Sequence, residues 1–400
     1  MLFRAAAKGT HVRSLSSSRL QRPATPQSVG TRLDLMNPTT SAQPSGAANV
    51  MVPNETEPQL LLRAKGYPYP RPDTSFLFVR GEVLEFDNDQ WRGLNHMHEI
   101  VGRCGSSAAE FCSSRGLDLV GLSREDLFVP VLAIGSNAGP EQLRRKYPEA
   151  DFPDCVIPVV QVALEDFDVV YTPYIASYGS CTATLEHSPG TVTSIFITYL
   201  TPPLMERMHA TEGGYNLCRL TELRLHVAPR GQQDCTGGAA TATTAAASAI
   251  APASTGAPAE TEDGMAASQL AAAAGAGPSS CFEVLDWVYQ YNHKLGCIQM
   301  PLRGQEGSPV AIAEIPAIRR AFPAASQVQM LTALKEALEN PNSFGPLAPV
   351  AMPGSVEDDG LDQWILHMVR DDQARKRACC RLAKCARPFT YPSCEIVAAL

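Results

Sequence analysis

The clearest alternation of hydrophobic and polar positions lies between residues 129 and 228. It begins with the apolar run VPVLAI, which ends at Gly135 and predicts a strand. Further strands are predicted over 156–164 and 167–171. Residues 181–200 predict two more strands, joined by a Ser-Pro-Gly turn. The pattern indicates a sheet-rich domain in the middle of the chain.

Helical spacing follows the predicted strands. Thr201 and the two prolines after it favour a helix start. On that helix Leu204 and Met208 are four residues apart, and the same spacing continues to Glu212. Farther along, SQVQMLTALKEALEN and LDQWILHMVRDDQARKRACCRLAKCA place apolar residues three and four apart. Residues 301–400 are therefore predicted to form a C-terminal helical extension.

Residues 236–280 interrupt the folded pattern. They are almost entirely Ala, Thr, Gly, Ser and Pro, and they cannot bury enough apolar surface to offset the entropy of ordering. A strand-like run, CFEVLDWVYQYN, follows at once, so this disordered insertion is expected in a loop between two strands of one domain. The predicted organisation is a leader and disordered linker at 1–60, an accessory region at 61–128, the interrupted domain at 129–300 and the extension at 301–400.

Charge and cysteine content narrow the choice of partners. The formal net charge is −8, which repels phosphate backbones and anionic lipid, so neither a nucleic-acid partner nor membrane docking is expected. No run approaches the roughly 20 apolar residues that span a bilayer. The 12 cysteines lack the spacing of a disulfide framework and indicate reduced thiols.

The first 33 residues differ from the rest of the chain. They hold six basic residues, are rich in serine and contain no acid, a composition typical of a transit peptide for a mitochondrion or plastid. The alternative is a disordered N-terminal extension of a cytoplasmic protein. Composition does not separate the two organelles.

Gly135, Ser136 and Asn137 join the first predicted strand to a helix that opens at Pro140. A strand-to-helix turn directs backbone N–H groups and the positive end of the helix dipole towards one point, where a carboxylate or an oxyanion would be stabilised. The same tripeptide also occurs in ordinary turns, and the loop alone leaves both interpretations open.

Glu212 is the strongest candidate for proton transfer. Its spacing from Leu204 and Met208 directs its carboxylate to the apolar side of the helix. An apolar environment disfavours the charged form of a carboxylate and makes it a better proton acceptor. Gly213 and Gly214 follow, end the helix and leave room around the acid. The alternative is a glutamate at a frayed helix end that turns to solvent.

Four short motifs follow one another in a specific order. IGSN ends the first strand, GSCTATL precedes the turn HSPG, and ATEGGYNLCRL spans a helix end and the next strand. This order resembles the gamma-glutamylcyclotransferase family and its AIG2-like relatives, which have a Tyr-Gly-Ser-Asn loop, a Gly-x-Ala-Thr-Leu strand, a Ser-Pro-Gly turn and a Glu-Gly pair. The resemblance covers about residues 129–292 and leaves both ends of the chain unexplained.

The resemblance implies an α+β fold, in which a small twisted, partly closed β-barrel with flanking helices holds a ligand cavity at one end. It also implies an intramolecular reaction. The free α-amino group of a γ-glutamyl amine or dipeptide attacks its own γ-carbonyl, which releases the amine and 5-oxoproline. Such a reaction needs a small-molecule γ-glutamyl substrate and no metal or cofactor. The oligomeric state is not indicated.

The resemblance also implies roles for particular residues. Glu212 would act first as the base and then as the acid for the leaving amine. The glutamyl group would be bound by the loop residues Gly135, Ser136 and Asn137, with Tyr215 and Arg219 in support. This mechanism requires Glu212 and the Gly135 loop to face one cavity, because one substrate must reach both.

Two departures from the family pattern put the substrate in doubt more than the fold. Ile134 replaces the aromatic residue that usually opens the loop, and Ser194 stands where a small glycine is common. A non-catalytic module that binds a small ligand on the same fold is the main alternative. Hydrolysis through Cys181 or Cys218 with a histidine is a weaker one, because no spacing pairs them.

Overall fold

A computed structural model describes residues 55–227, 285–302, 305–339 and 359–400. The transit-like leader and the insertion at 236–280 lie outside these ranges. The described helices are α1 (Glu57–Lys65), α2 (Ala108–Ser113), α3 (Leu119–Leu122), α4 (Pro140–Lys146), α5 (Pro202–Thr211), α6 (Gln327–Glu339), α7 (Asp359–Arg370) and α8 (Asp372–Leu382). The described strands are β1 (Ser75–Val79), β2 (Glu82–Phe86), β3 (Val129–Ala133), β4 (Val156–Ile175), β5 (Cys181–Leu200), β6 (Tyr215–Thr221), β7 (Leu225–Val227), β8 (Trp287–His293), β9 (Cys297–Leu302), β10 (Gln305–Pro309), β11 (Ala311–Ile312), β12 (Ala317–Ile318), β13 (Ala324–Ala325), β14 (Ala386–Arg387) and β15 (Cys394–Ala399).

Twelve of these strands form one mixed sheet. Its main path runs β13-β11-β4-β5-β3-β8-β6-β15, and β1, β2, β7 and β12 pair alongside it. The pairs β3–β8 and β11–β13 are parallel, and the others are antiparallel. The α+β class predicted from the sequence is confirmed. No pairing joins β13 to β15 among the described strands, and the partly closed barrel stays a prediction.

The two central strands, β4 and β5, are each 20 residues long and pair along most of their length. The sequence predicted a break in each of them, and this was wrong. Opposite Asp166 the register shifts, and the Ser-Pro-Gly residues form a bulge within β5. The N–H of Gly190 donates to the Asp166 carboxylate at 2.7 Å. The turn residues are absorbed as a bulge because pairing continues on both sides of them.

Segments outside the resemblance complete this sheet. In the accessory region 61–128, β1 pairs with β4, and α1 begins inside the predicted linker 1–60. The helices predicted within 301–400 form, but that extension also supplies β10 to β15, which corrects its description as helical. Its last strand, β15, pairs with β6 because β6 offers an unpaired edge.

The helices α4 and α5 hold the candidate site against the sheet. Leu143 and Tyr147 from the α4 end, Leu204 and Met208 from α5, and Phe76 from β1 belong to one buried cluster. This packing determines which sides of α4 and α5 face each other.

No helix in the described ranges is long and apolar enough to cross a lipid bilayer.

Candidate functional site

A cavity of about 770 Å³ opens beside the loop after β3. This volume lies within the usual range for small-molecule sites. Five of the six residues to which the resemblance gives a role line it, namely Gly135, Ser136, Asn137, Glu212 and Tyr215, and Arg219 does not. Glu212 and the Gly135 loop therefore face one cavity, as a shared substrate requires.

The loop after β3 approaches a tyrosine from the accessory region. A Cβ added at Gly135 would lie 2.3 Å from the phenol oxygen of Tyr67, so this close approach requires glycine. Ser136 and Asn137 then begin a single 3-10 turn. Within the described part of the chain, no acceptor is bound to the backbone N–H of either residue, which leaves both available to an oxyanion.

Glu212 caps the C-terminal end of α5. Leu204 and Met208 are buried on the same helix, and Glu212 is 9% exposed, as the spacing predicted. Gly213 and Gly214 follow it and line the cavity. The buried position places the carboxylate at the cavity wall rather than in bulk solvent.

The Glu212 carboxylate is held by two side chains from other segments of the cavity wall, one from the loop after β3 and one from α4. Its Oε1 accepts a hydrogen bond from Lys146 Nζ at 2.6 Å and another from Asn137 Nδ2 at 3.1 Å. The Lys146 side chain is 5% exposed. Among the described residues, no side chain or backbone group is bonded to Glu212 Oε2, which remains open to a substrate.

Lys146 was missed by the sequence analysis, although a signal was present. It lies three residues after Leu143, and Tyr147 lies four after it. All three side chains are buried. The spacing argument that singled out Glu212 on α5 therefore also applies to Lys146 on α4.

Two tyrosines that line the cavity have their hydroxyl groups bonded to residues of β5. Tyr67 Oη accepts the N–H of Ala183 at 3.0 Å, and Tyr215 Oη donates to Thr182 Oγ1 at 2.9 Å. Burial raises the pKa of both phenols well above their ordinary value, so both stay protonated.

Ile134 stands where the family usually has an aromatic residue, and Tyr67 supplies an aromatic ring and a hydroxyl group beside the same loop. Nothing in the local sequence around Ile134 signals this contact.

The cavity wall carries more positive than negative side chains. Its cationic residues are Arg63, Arg145, Lys146, Arg207, Arg375 and Lys376. Its acidic residues are Glu55, Glu212 and Asp372. The excess of positive charge favours an anionic ligand. Arg375 and Lys376 lie on α8, and Glu55 and Arg63 lie at or near α1, so segments outside the resemblance form this part of the wall.

Other candidates from the sequence lie elsewhere. Arg219 does not line the cavity and instead stacks over the Trp287 ring at 5.2 Å. Ser194 accepts from Gln161 at 3.3 Å, away from the cavity wall, and does not narrow it. No group of three or more His, Cys, Asp or Glu residues in the described ranges could hold a metal ion.

The two cysteines considered for hydrolysis are both buried. Burial raises the pKa of the Cys181 thiol, and its sulfur donates to the carbonyl of Thr172 at 3.2 Å. A hydrogen bond with Cys394 and burial raise the pKa of Cys218. A raised thiol pKa opposes thiolate formation, so neither residue is suited to nucleophilic attack.

Three comparisons with known proteins found no relative of this chain. No family model, curated protein or solved structure matches the chain.

Proposed function

We propose that the protein is a gamma-glutamylcyclotransferase-like enzyme that cyclises a γ-glutamyl amine or dipeptide to 5-oxoproline and releases the amine. One observation carries the proposal. Glu212 and the Gly135 loop line one cavity and touch each other through the hydrogen bond from Asn137 Nδ2 to Glu212 Oε1. A partly closed β-barrel with the cavity at one end is part of the same proposal.

Glu212 would transfer protons in this reaction. The α-ammonium group must lose a proton before its nitrogen can attack the γ-carbonyl carbon. Oε2 of Glu212 is the available acceptor, since Oε1 is already bonded to Lys146 and Asn137. Fixing one oxygen orients the other, and a fixed base close to the reacting nitrogen lowers the entropic barrier.

The attack also creates negative charge on the γ-carbonyl oxygen. The free backbone N–H groups of Ser136 and Asn137 are suited to stabilise it, because they are already in place when the charge develops. The excess of cationic side chains in the wall suits the α-carboxylate of the glutamyl group. The cavity thus offers a base, oxyanion donors and a site for an anionic substrate.

Turnover by the full-length chain tests the proposal. The protein is incubated with γ-glutamyl-alanine, glutathione and a γ-glutamyl-alkylamine, and 5-oxoproline is measured. The variant Glu212→Gln should lose at least about 100-fold in kcat, the lower range for a general base. Glu206→Gln on the exposed side of the same helix is the matched control and should retain full activity. Undiminished turnover by Glu212→Gln would remove the proposed base.

A non-catalytic ligand-binding module is the second candidate. The pairing of Glu212 with Lys146 at 2.6 Å favours it, because a structural carboxylate is also held in this way. If the wild-type protein forms no 5-oxoproline from any of the three substrates, a thermal-shift screen with amino acids and γ-glutamyl compounds decides whether the cavity binds them.

A further inference from the structure

Lys146 is a buried residue in the cavity wall whose side chain carries an ammonium group. Its Nζ donates to Glu212 Oε1 at 2.6 Å and contacts Met208 Sδ at 3.0 Å. Among the described residues, no third acceptor is bonded to Nζ. Since Lys146 lines the cavity, one N–H remains for a ligand that lies against Glu212.

Hydrogen bonds join the helix ends that carry Lys146 and Glu212. The Tyr147 hydroxyl donates to the carbonyl of Leu204 at 2.9 Å, and Arg207 Nε donates to the carbonyl of Lys146 at 3.0 Å. Both bonds tie the end of α4 to α5, which carries Glu212 at its own end. The backbone positions from which the Lys146 and Glu212 side chains extend are therefore held close to each other.

The proposed cyclisation moves two protons between nitrogen atoms, and one carboxylate cannot carry both at the same time. The attacking nitrogen starts as an ammonium with three protons and ends as a lactam nitrogen with one. The leaving nitrogen starts as an amide with one proton and ends as an ammonium with three. Two protons must therefore move from the first nitrogen to the second, while Glu212 holds one at a time.

We propose that Lys146 is a second catalytic proton-transfer group, which donates from Nζ to the leaving nitrogen of the substrate. This inference rests on the proposed cyclotransferase function. It uses the open N–H of Nζ and its bond to Glu212, which together place a proton donor and a proton acceptor at one end of the cavity.

The complete sequence of transfers balances. Glu212 takes one proton from the α-ammonium, and the resulting amine forms a bond to the γ-carbonyl carbon. Lys146 gives a proton to the leaving nitrogen as its bond to that carbon breaks, and recovers one from the attacking nitrogen. Glu212 then returns its proton to the released amine. Both side chains finish in their starting forms, and the products are 5-oxoproline and an ammonium.

Leaving-group chemistry separates this role from a structural one. An alkylamine is a poor leaving group and needs a proton as the bond breaks, whereas the far less basic p-nitroaniline depends much less on proton donation at that step and can take its proton from water afterwards. We expect Lys146→Met to lose at least about 100-fold in kcat on a γ-glutamyl-alkylamine, as expected for removal of a general acid, and less than about tenfold on γ-glutamyl-p-nitroanilide. The expected effect on KM is small for both.

A matched control and a conservative variant accompany this measurement. Lys335 lies on α6, outside the cavity lining, and pairs with Glu339 at 3.1 Å, so Lys335→Met should retain both activities. Lys146→Arg keeps the buried positive charge beside Glu212, but a guanidinium holds its protons too tightly to donate them. It should fold like the wild type and still lose turnover of the alkylamine selectively, even if Lys146→Met unfolds.

The outcomes distinguish the two proposals. Suppose that the wild type turns over both substrates and that Lys146→Arg loses the same factor in kcat on each. This result would overturn the role of Lys146 and leave the proposed cyclotransferase function standing. Full activity of that variant on the alkylamine would do the same. Absence of 5-oxoproline from every substrate with the wild type would overturn the proposed function, and the role of Lys146 with it.

Discussion

Replacement of Gly135 by alanine should destabilise the protein through one contact. The added Cβ would lie 2.3 Å from Tyr67 Oη and 3.3 Å from Ala183 Cβ, whereas carbon atoms pack comfortably at about 3.5–4.0 Å. Tyr67 has little freedom to withdraw, since it is 4% exposed and accepts the Ala183 N–H. Overpacking of this kind typically costs about 1–3 kcal/mol, and losing the hydrogen bond adds about 1 kcal/mol. We expect the free energy of unfolding to fall by about 2–4 kcal/mol.

Urea unfolding monitored by circular dichroism measures this loss. A double-mutant cycle with Tyr67→Phe isolates its cause, because removal of the phenol oxygen removes the 2.3 Å contact. Gly135→Ala should then cost at least about 1 kcal/mol less in the Tyr67→Phe background than in the wild type. A Cβ at Gly214 would have no neighbour closer than 3.9 Å, so Gly214→Ala is the control and should change stability by less than about 0.5 kcal/mol.

If Gly135→Ala is as stable as the Gly214→Ala control, the contact with Tyr67 does not limit the space at Gly135. Additive costs of Gly135→Ala and Tyr67→Phe would lead to the same conclusion, because they would show that the two positions do not interact.

Two further predictions concern stability away from the cavity. Burial, opposed by Arg387 at 3.1 Å, raises the pKa of Glu186 from 4.5 to about 7. The folded state therefore keeps a proton that the unfolded state loses, and the free energy of unfolding should fall by up to about 3 kcal/mol as pH rises from about 4.5 to about 7. Urea unfolding at pH 5 and pH 8 measures this, and Glu186→Gln should reduce the difference; an unchanged difference would contradict it. Leu334 on α6 is fully buried, and Leu334→Ala should lower the free energy of unfolding by about 2–5 kcal/mol in the same assay. Turnover per folded molecule should stay at the wild-type level. A loss below about 1 kcal/mol would contradict the close packing of this side chain.

Glu212 could be found from the sequence because its position depends on one helix. The spacing from Leu204 and Met208 fixes the direction of the side chain wherever the helix packs. Lys146 follows from the same rule on α4, because its neighbours Leu143 and Tyr147 are buried. The local spacing therefore indicates a buried side chain for both Lys146 and Glu212. Their contact at 2.6 Å depends on how α4 and α5 pack and does not follow from spacing.

Tyr67 could not be found in this way. Its hydroxyl bonds to Ala183, which is 116 positions away in the chain, and no periodicity relates the two residues. The same holds for Arg375 and Lys376, which reach the cavity from α8. Such contacts depend on the tertiary arrangement of α1, α8 and the sheet, which a single sequence does not encode as a local pattern.

Residues that a local pattern predicts and residues that it does not predict come from different segments of the chain. The groups that the proposed reaction would use, Glu212 and the loop from Gly135 to Asn137, come from the segment with recognisable motifs. Tyr67, which contacts that loop, and the cationic residues Arg63, Arg375 and Lys376 come from segments 61–128 and 301–400. These segments also supply β1 and β15 to the sheet. Because those segments pair with the central strands, a change that loosens them would alter the shape and charge of the cavity without touching Glu212.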